Sequence, residues 1–203
     1  MIERWLSELV ATPGLTSVSG EEARRVHLDE SLAALETVER FEGPIVDVGS
    51  GGGAPGIPLA HALPDREVTL LEATRRKCDF LERWTGELPN LRVVCGRAEE
   101  QPLDTWGVAV AKALAPPPVA AELVLPLVAP GGAAILWTGA QIDAGALEAT
   151  AALVQGTVEV VHDVGPARRL VVLRKVGPTP ERFPRRPGIA RARPLLPVPS
   201  SSA

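Results

Sequence analysis

The stretch VDVGSGGGAPGIPLA, residues 46–60, carries an apolar run into an aspartate, a burst of glycines and a second apolar run with prolines in its first turn. Bare backbone of this kind lets a ligand lie directly on the main chain, and three ligand classes compete for it. A triphosphate loop needs GxxxxGK[ST], a lysine to reach the phosphates and a hydroxyl to hold magnesium. Gly51 and Gly56 have that glycine spacing, but Ile57 and Pro58 stand where the lysine and hydroxyl belong, which excludes it. A GxGxxG dinucleotide pattern occurs as Gly51, Gly53 and Gly56, but alone it is a weak signal. An NAD-linked oxidoreductase would also need a substrate domain, and only 27 low-complexity residues follow the last apolar run. S-adenosylmethionine carries no phosphate: its methionine half needs glycines to lie against, and a nearby carboxylate suits its ammonium. Asp47, Gly49, Gly51 and Gly53 supply both. Glu72 closes the next apolar run, 25 residues after Asp47, where a carboxylate can accept both ribose hydroxyls. Gly96-Arg97-Ala98-Glu99 follows the third run, where an adenine would lie.

These positions do chemistry together only if the runs that precede them are neighbouring parallel strands with their carboxyl ends on one side. The pattern predicts that arrangement. PIVDVGS, EVTLLEA, LRVVCGRA, WGVAVAKAL and AAILWTG read as five strands, separated by helical segments. Near-continuous apolar strands alternating with helices mean a parallel sheet covered on both faces. PPVAAELVLPLVAPGG reads as a helix ending at a glycine pair, and TRRKCDFLERWTGEL as a helix with Phe80, Leu81, Trp84 and Leu88 on one side. TVEVVHDVG and RRLVVLRKV are too close in sequence for a parallel crossover and must form an antiparallel hairpin. The expected fold is therefore α/β, class I (Rossmann-like), with a mostly parallel seven-stranded sheet closed by that hairpin. Residues 1–42 form an N-terminal helical segment, in which Ser19 and Glu22 read as a capping box. Residues 43–176 read as the core domain, whose sheet plan resembles that of class I methyltransferases, and residues 177–203 as a basic, proline-rich tail, extended or disordered.

The 203 residues, 45% of them hydrophobic, are enough for one domain with a full core. The charged start MIERWLSEL is unlike a signal peptide and no long apolar run occurs, so a cytoplasmic protein with no membrane association is expected. Cys78 and Cys95 lack metal-ligand spacing and read as thiols buried in core elements, and His27, His61 and His162 are scattered, so no metal site is expected. The net charge of −4 conceals a polarity: from Val164 onward nine Arg or Lys face only Glu181, while the rest of the chain holds 12 basic and 24 acidic residues. Such a tail either meets a polyanion or folds back on the acidic domain.

The methyl acceptor is constrained by what is missing. Methylation of an exocyclic amine commonly uses an Asp/Asn-Pro-Pro-aromatic loop after the fourth strand; this chain has LAPPPVAAE there and no tyrosine anywhere. A cysteine adduct on a pyrimidine has no support either, since both cysteines fall on core elements. Guanine N7 carries an in-plane lone pair and no proton, so a site for it needs alignment and no catalytic acid or base.

The segments VDVGSGGGAPGIPLA, LLEATRRKCDFLE, GRAEE, RRLVVLRKV and TPERFPRRPGIARARPL resemble the RsmG (formerly GidB) family of bacterial 16S ribosomal RNA guanine-N7 methyltransferases. The resemblance implies a cytoplasmic enzyme that uses S-adenosylmethionine to methylate one guanine of the small-subunit rRNA, position 527 in common rRNA numbering. Its partner would be 16S rRNA, the 30S subunit or an assembly intermediate. By position, Gly49, Ala54, Ala98 and Glu99 fall on the family's cofactor contacts. Lys112 falls where the family has an arginine at the end of the fourth strand, keeping the charge but not the planar fork. VHLDESL stands for the family's RHxxDSL, which places His27 near the site, with Glu30 replacing aspartate. The helix before GLTSV is shorter than in the family. Arg182, Arg185, Arg186, Arg191 and Arg193 are expected to meet rRNA phosphates. A non-catalytic relative that binds RNA and cofactor is the alternative.

Overall fold

The computed structural model describes residues 1–165 and 168–196. Seven strands form one sheet: β1 (Ile45–Val48), β2 (Val68–Glu72), β3 (Leu91–Cys95), β4 (Trp106–Lys112), β5 (Val128–Gly139), β6 (Gly156–Gly165) and β7 (Arg168–Lys175), in the order β3-β2-β1-β4-β5-β7-β6. The first five pair in parallel, and β7 runs antiparallel to both β5 and β6. This is the expected α/β sheet closed by a hairpin; Pro166 and Ala167, expected between its strands, lie outside the described residues.

Alternation along the strands divides the core into two layers. Ile45, Leu70, Val108, Val110, Ile135 and Val172 face one side. There they meet α1 (Ile2–Ala11), α5 (Gly56–Ala62) and α6 (Arg75–Glu82), through Trp5, Ile57, Phe80 and Leu81. Three shorter helices complete that layer: α2 (Gly20–Arg24), α3 (Glu30–Leu32) and α4 (Leu35–Glu39). Val46, Val48, Leu71, Ala109, Leu136 and Val171 face the other side and pack on α7 (Pro117–Val124) and α8 (Ala144–Leu153). The proline run stiffens the entry to α7, with Pro116 at its cap and Pro117 and Pro118 in its first turn.

Four local expectations are corrected. The Gly131–Gly132 pair does not end α7, which stops at Val124; it sits inside β5, where Trp106 pairs with Val128 and Val108 with Ala133 across a register shift. Gly132 allows this because a Cβ there would collide with the Gly107 carbonyl. Ser19 does sit at the start of α2, but its side chain makes no capping bond, and residues 25–29 widen into a π-helical turn before α3. Cys78 and Cys95 are not free thiols: a disulfide joins α6 to the edge strand β3, with Cα atoms 5.8 Å apart. The tail, finally, is not loose. Phe183 and Ala190 are buried in the α7 side of the core, and α9 (Ile189–Ala192) forms a single turn of helix there. Residues 197–203 of the tail lie outside the described residues.

Candidate functional site

The turn after β1 is shaped by what glycine alone allows. Gly49, Gly51 and Gly53 have φ of +73°, +58° and +104°, the left-handed region where a side chain is strained. Around most of the turn, space is also closed: a Cβ on Gly49 would come within 2.6 Å of Leu114 Cδ1, and one on Gly52 would collide with Leu9. Gly51 differs. A Cβ there would meet only the Gly49 carbonyl oxygen, at 3.9 Å, so the backbone at Gly51 faces open space.

Two carboxylates brace this turn. Asp47 is 1% exposed and accepts a bond from the Gly56 N–H at 3.0 Å, which ties the end of β1 to the start of α5. Burial pushes its carboxyl up to about 7, against the hydrogen bond from Gly56. Glu72, at the end of β2, accepts from Gly51 N–H at 2.9 Å and from Thr74 N–H at 2.8 Å. Asp47 is thus turned inward under the glycines, whereas Glu72 reaches the open Gly51 corner and keeps lone pairs on both oxygens for further donors.

Two cavities open on either side of Gly49. The first, about 80 Å³, is lined by Gly49, Leu71, Ala73, Ala98, Glu99 and Leu114 among others, and so gathers the carboxyl ends of β1 to β4. The second, about 230 Å³, is lined by Gly49, Gly51, Ala54, His27, Lys77, Lys112 and Arg168 among others. Of the sequence-predicted residues, Gly49, Gly51, Ala54, Ala98, Glu99, Lys112 and His27 line one cavity or both; Asp47 and Glu72 line neither and brace the turn instead.

The second cavity is basic, and one acid organises it. Glu30, 4% exposed, receives Arg25 at 2.8 Å and Lys112 at 3.1 Å, with Arg168 at 3.7 Å. Its backbone carbonyl accepts from Trp137 Nε1 at 2.7 Å. Lys112 also donates to the Val26 carbonyl, and burial holds its ammonium below the ordinary lysine value while Glu30 opposes that shift. His27 Nε2 bonds Thr16 Oγ1 at 2.7 Å, and burial, with Lys112 beside it, lowers the imidazole to about 4. His27 is therefore neutral near pH 7 and serves as a fixed polar wall.

Sequence reasoning missed Arg168, Lys77 and the central place of Glu30. Arg168 begins β7, opposite Gly139 at the end of β5, and only the antiparallel register brings it to the carboxyl ends of the parallel strands. Lys77 lies half-buried on α6 and lines the second cavity, but nothing in its spacing sets it apart.

Two cavities thus flank the glycine turn, the larger of them lined by Lys77, Lys112 and Arg168. Comparison with known proteins places the chain in a family. A family model described as rRNA small subunit methyltransferase G matches residues 4–171. The Ribosomal RNA small subunit methyltransferase G of Pelotomaculum thermopropionicum is 36% identical over 197 residues, covering 89% of this chain and 82% of its own length. The protein of the same name from Thermotoga neapolitana is 35% identical over 206 residues, covering 95% and 90%. Among solved structures, a Pyrococcus horikoshii OT3 protein aligns with a TM-score of 0.60 at 15% identity, covering 83% of this chain and 98% of that one. The Thermus thermophilus 16S rRNA N2 G1207 methyltransferase, solved with AdoMet and guanosine, aligns with a TM-score of 0.52 at 19% identity, covering 75% and 40%. At those identities the two structures speak for the fold alone.

Proposed function

The chain belongs to the rRNA small subunit methyltransferase G family, and from that premise we propose that it transfers a methyl group from S-adenosylmethionine to N7 of one guanine in 16S rRNA. The residues present fit that cofactor. The open corner at Gly51 leaves room for the methionine half, and Glu72 keeps lone pairs for the ribose hydroxyls. The smaller cavity bounded by Ala98 and Glu99 lies on the side of the turn where the adenosine half would enter. When bound, the cofactor supplies an electrophilic methyl on a sulfonium.

The observation that carries the choice of acceptor is the lining of the larger cavity. Among the described residues its walls hold three cationic side chains, a neutral His27 and no carboxylate. An amine acceptor must shed a proton during methylation and is served by a nearby base; N7 of guanine sheds none. Lys112 and Arg168 suit guanine O6 and the flanking phosphates, which orients the base without proton transfer. A base methylated at N7 would be cationic, so the larger cavity would have to accept a positive charge that the cofactor gives up. Glu30 offsets the cations of the wall and keeps it tolerant of that charge. Trp5, whose Nε1 donates to the Gly52 carbonyl at 2.9 Å, holds the turn in place during this exchange.

The partner on this reading is 16S rRNA, free or in a 30S particle or assembly intermediate, and the reaction takes place in the cytoplasm. No described helix is long and apolar enough to cross a membrane, and no described group of three His, Cys, Asp or Glu is placed to hold a metal. The test is direct. Unmethylated 30S subunits and naked 16S rRNA are incubated with the protein and methyl-labelled cofactor, then treated with borohydride and aniline, which cleave RNA at N7-methylguanosine. A single new scission site is expected. Label incorporated into RNA that stays uncut would overturn the assignment to N7.

A further inference from the structure

The five tail arginines do not behave as one group. Arg185 lays its guanidinium on the buried Glu122 carboxylate as a fork, Nε to Oε1 at 2.5 Å and Nη2 to Oε2 at 2.6 Å. Its remaining nitrogen donates to the Arg193 carbonyl at 2.9 Å. With Phe183 and Ala190 buried on either side, the segment between them is fixed to α7. Two contacts then carry it to the smaller cavity: Gly188 N–H donates to Glu99 Oε1 at 2.9 Å, and Arg191 Nη2 donates to the Leu114 carbonyl at 2.7 Å. Gly188 and Arg191 line that cavity together with Gly49, Ala98 and Glu99.

We propose that the segment from Arg185 to Arg193 is the outer wall of the adenosine half of the cofactor site, with Gly188 setting Glu99 and Arg191 facing the purine. This rests on the cofactor reading above and adds to it residues that the glycine turn and the strand ends do not supply. A guanidinium is planar and weakly hydrated, and it stacks on aromatic faces in a way an ammonium does not. Held at one nitrogen by Leu114, the Arg191 group has its plane constrained beside the cavity. Glu99 has one oxygen engaged by Gly188, which fixes the carboxylate and leaves the other oxygen as an acceptor for an exocyclic amine. The tail therefore divides by direction: Arg185 and Arg191 are turned to the protein, while Arg182, Arg186 and Arg193 remain on the surface for a polyanion.

The experiment measures affinity for S-adenosylhomocysteine and for adenosine by calorimetry, and affinity for 16S rRNA over a salt series. Arg191→Ala is expected to weaken both small ligands by the same factor, roughly ten-fold, and Arg191→Lys to recover little of it. Because Arg191 is exposed and makes one hydrogen bond, the melting temperature of the ligand-free variant should be unchanged. The double variant Arg182→Ala/Arg186→Ala should keep cofactor affinity and lower the salt slope for RNA. Arg191→Ala that binds S-adenosylhomocysteine as wild type does would overturn the wall and leave the proposed function standing. Wild-type protein that binds neither ligand would overturn both.

Discussion

Glu30→Gln tests whether one buried acid holds the basic wall together. The change keeps the side chain's shape and the Trp137 bond to its carbonyl, and removes only the charge. Lys112 Nζ lies 3.1 Å from Glu30 Oε2, with side chains 8% and 4% exposed. Two unit charges at that separation attract by about 5 kcal/mol at an effective dielectric of about 20. Arg25 and Arg168 sit further into solvent, where such pairs contribute little. Removing one partner of a buried pair leaves the other charge uncompensated, typically at about 3–5 kcal/mol. Urea unfolding at pH 7 should therefore show a loss of about 3–4 kcal/mol. Without Glu30, the Lys112 ammonium, already lowered by burial, falls further below its unfolded value. The folded chain then binds fewer protons than the unfolded one, so stability rises with pH. The deficit of the variant should accordingly shrink between pH 7 and pH 10, and the double variant Glu30→Gln/Lys112→Met should regain most of the loss. A deficit under about 1 kcal/mol, or one that widens with pH, would refute the argument.

Three other outcomes are expected. Gly51→Val should abolish binding of S-adenosylhomocysteine, because a β-branched side chain is strained at a φ of +58° and fills the one open corner of the turn; calorimetry showing unchanged affinity would place the cofactor elsewhere. Asp47→Asn keeps an acceptor for Gly56 but removes a carboxyl that burial raises to about 7. Between about pH 4 and pH 7 the unfolded aspartate is ionised while the folded one still holds its proton, so the wild type loses stability as pH rises. The variant should gain on it by about 4 kcal/mol over that range, and a difference that stays flat in urea melts would contradict the burial. Reducing the Cys78–Cys95 disulfide, which closes a loop of 17 residues, should lower the urea-unfolding free energy by about 3 kcal/mol; two thiols that titrate at once in the folded protein without reductant would show the bond absent.

The parts of this site that lie close in sequence could be read from it. Glycines at 49, 51 and 53 after an apolar run, with acids at 47 and 72, describe a turn and its braces because Asp47 adjoins the turn in sequence and Glu72 ends the next parallel strand. What could not be read depends on register. Arg168 and Glu30 are 138 positions apart in the chain, and they meet because β7 returns antiparallel beside β5. Cys95 lies opposite Glu72 in the β2–β3 ladder, which sets it over Cys78 on α6; the two cysteines carry no spacing that signals a bond. The proline-rich tail misled for a different reason. Its composition describes a chain with few local hydrogen bonds, but Phe183, Ala190 and the Arg185 fork supply tertiary ones, and composition does not show where a partner such as Glu122 will be.

The anchoring of the glycine turn by the first helix has a genetic consequence. Trp5 donates to the carbonyl of Gly52, and Leu9 occupies the space that a side chain on Gly52 would need. If the proposed methylation is this chain's activity, a selection for cells whose ribosomes lack it should thus collect lesions along α1, far in sequence from the glycine turn it braces. Their hallmark would be a phenotype that recedes when intracellular methyl donor is raised, which separates them from alleles that destroy the acceptor pocket.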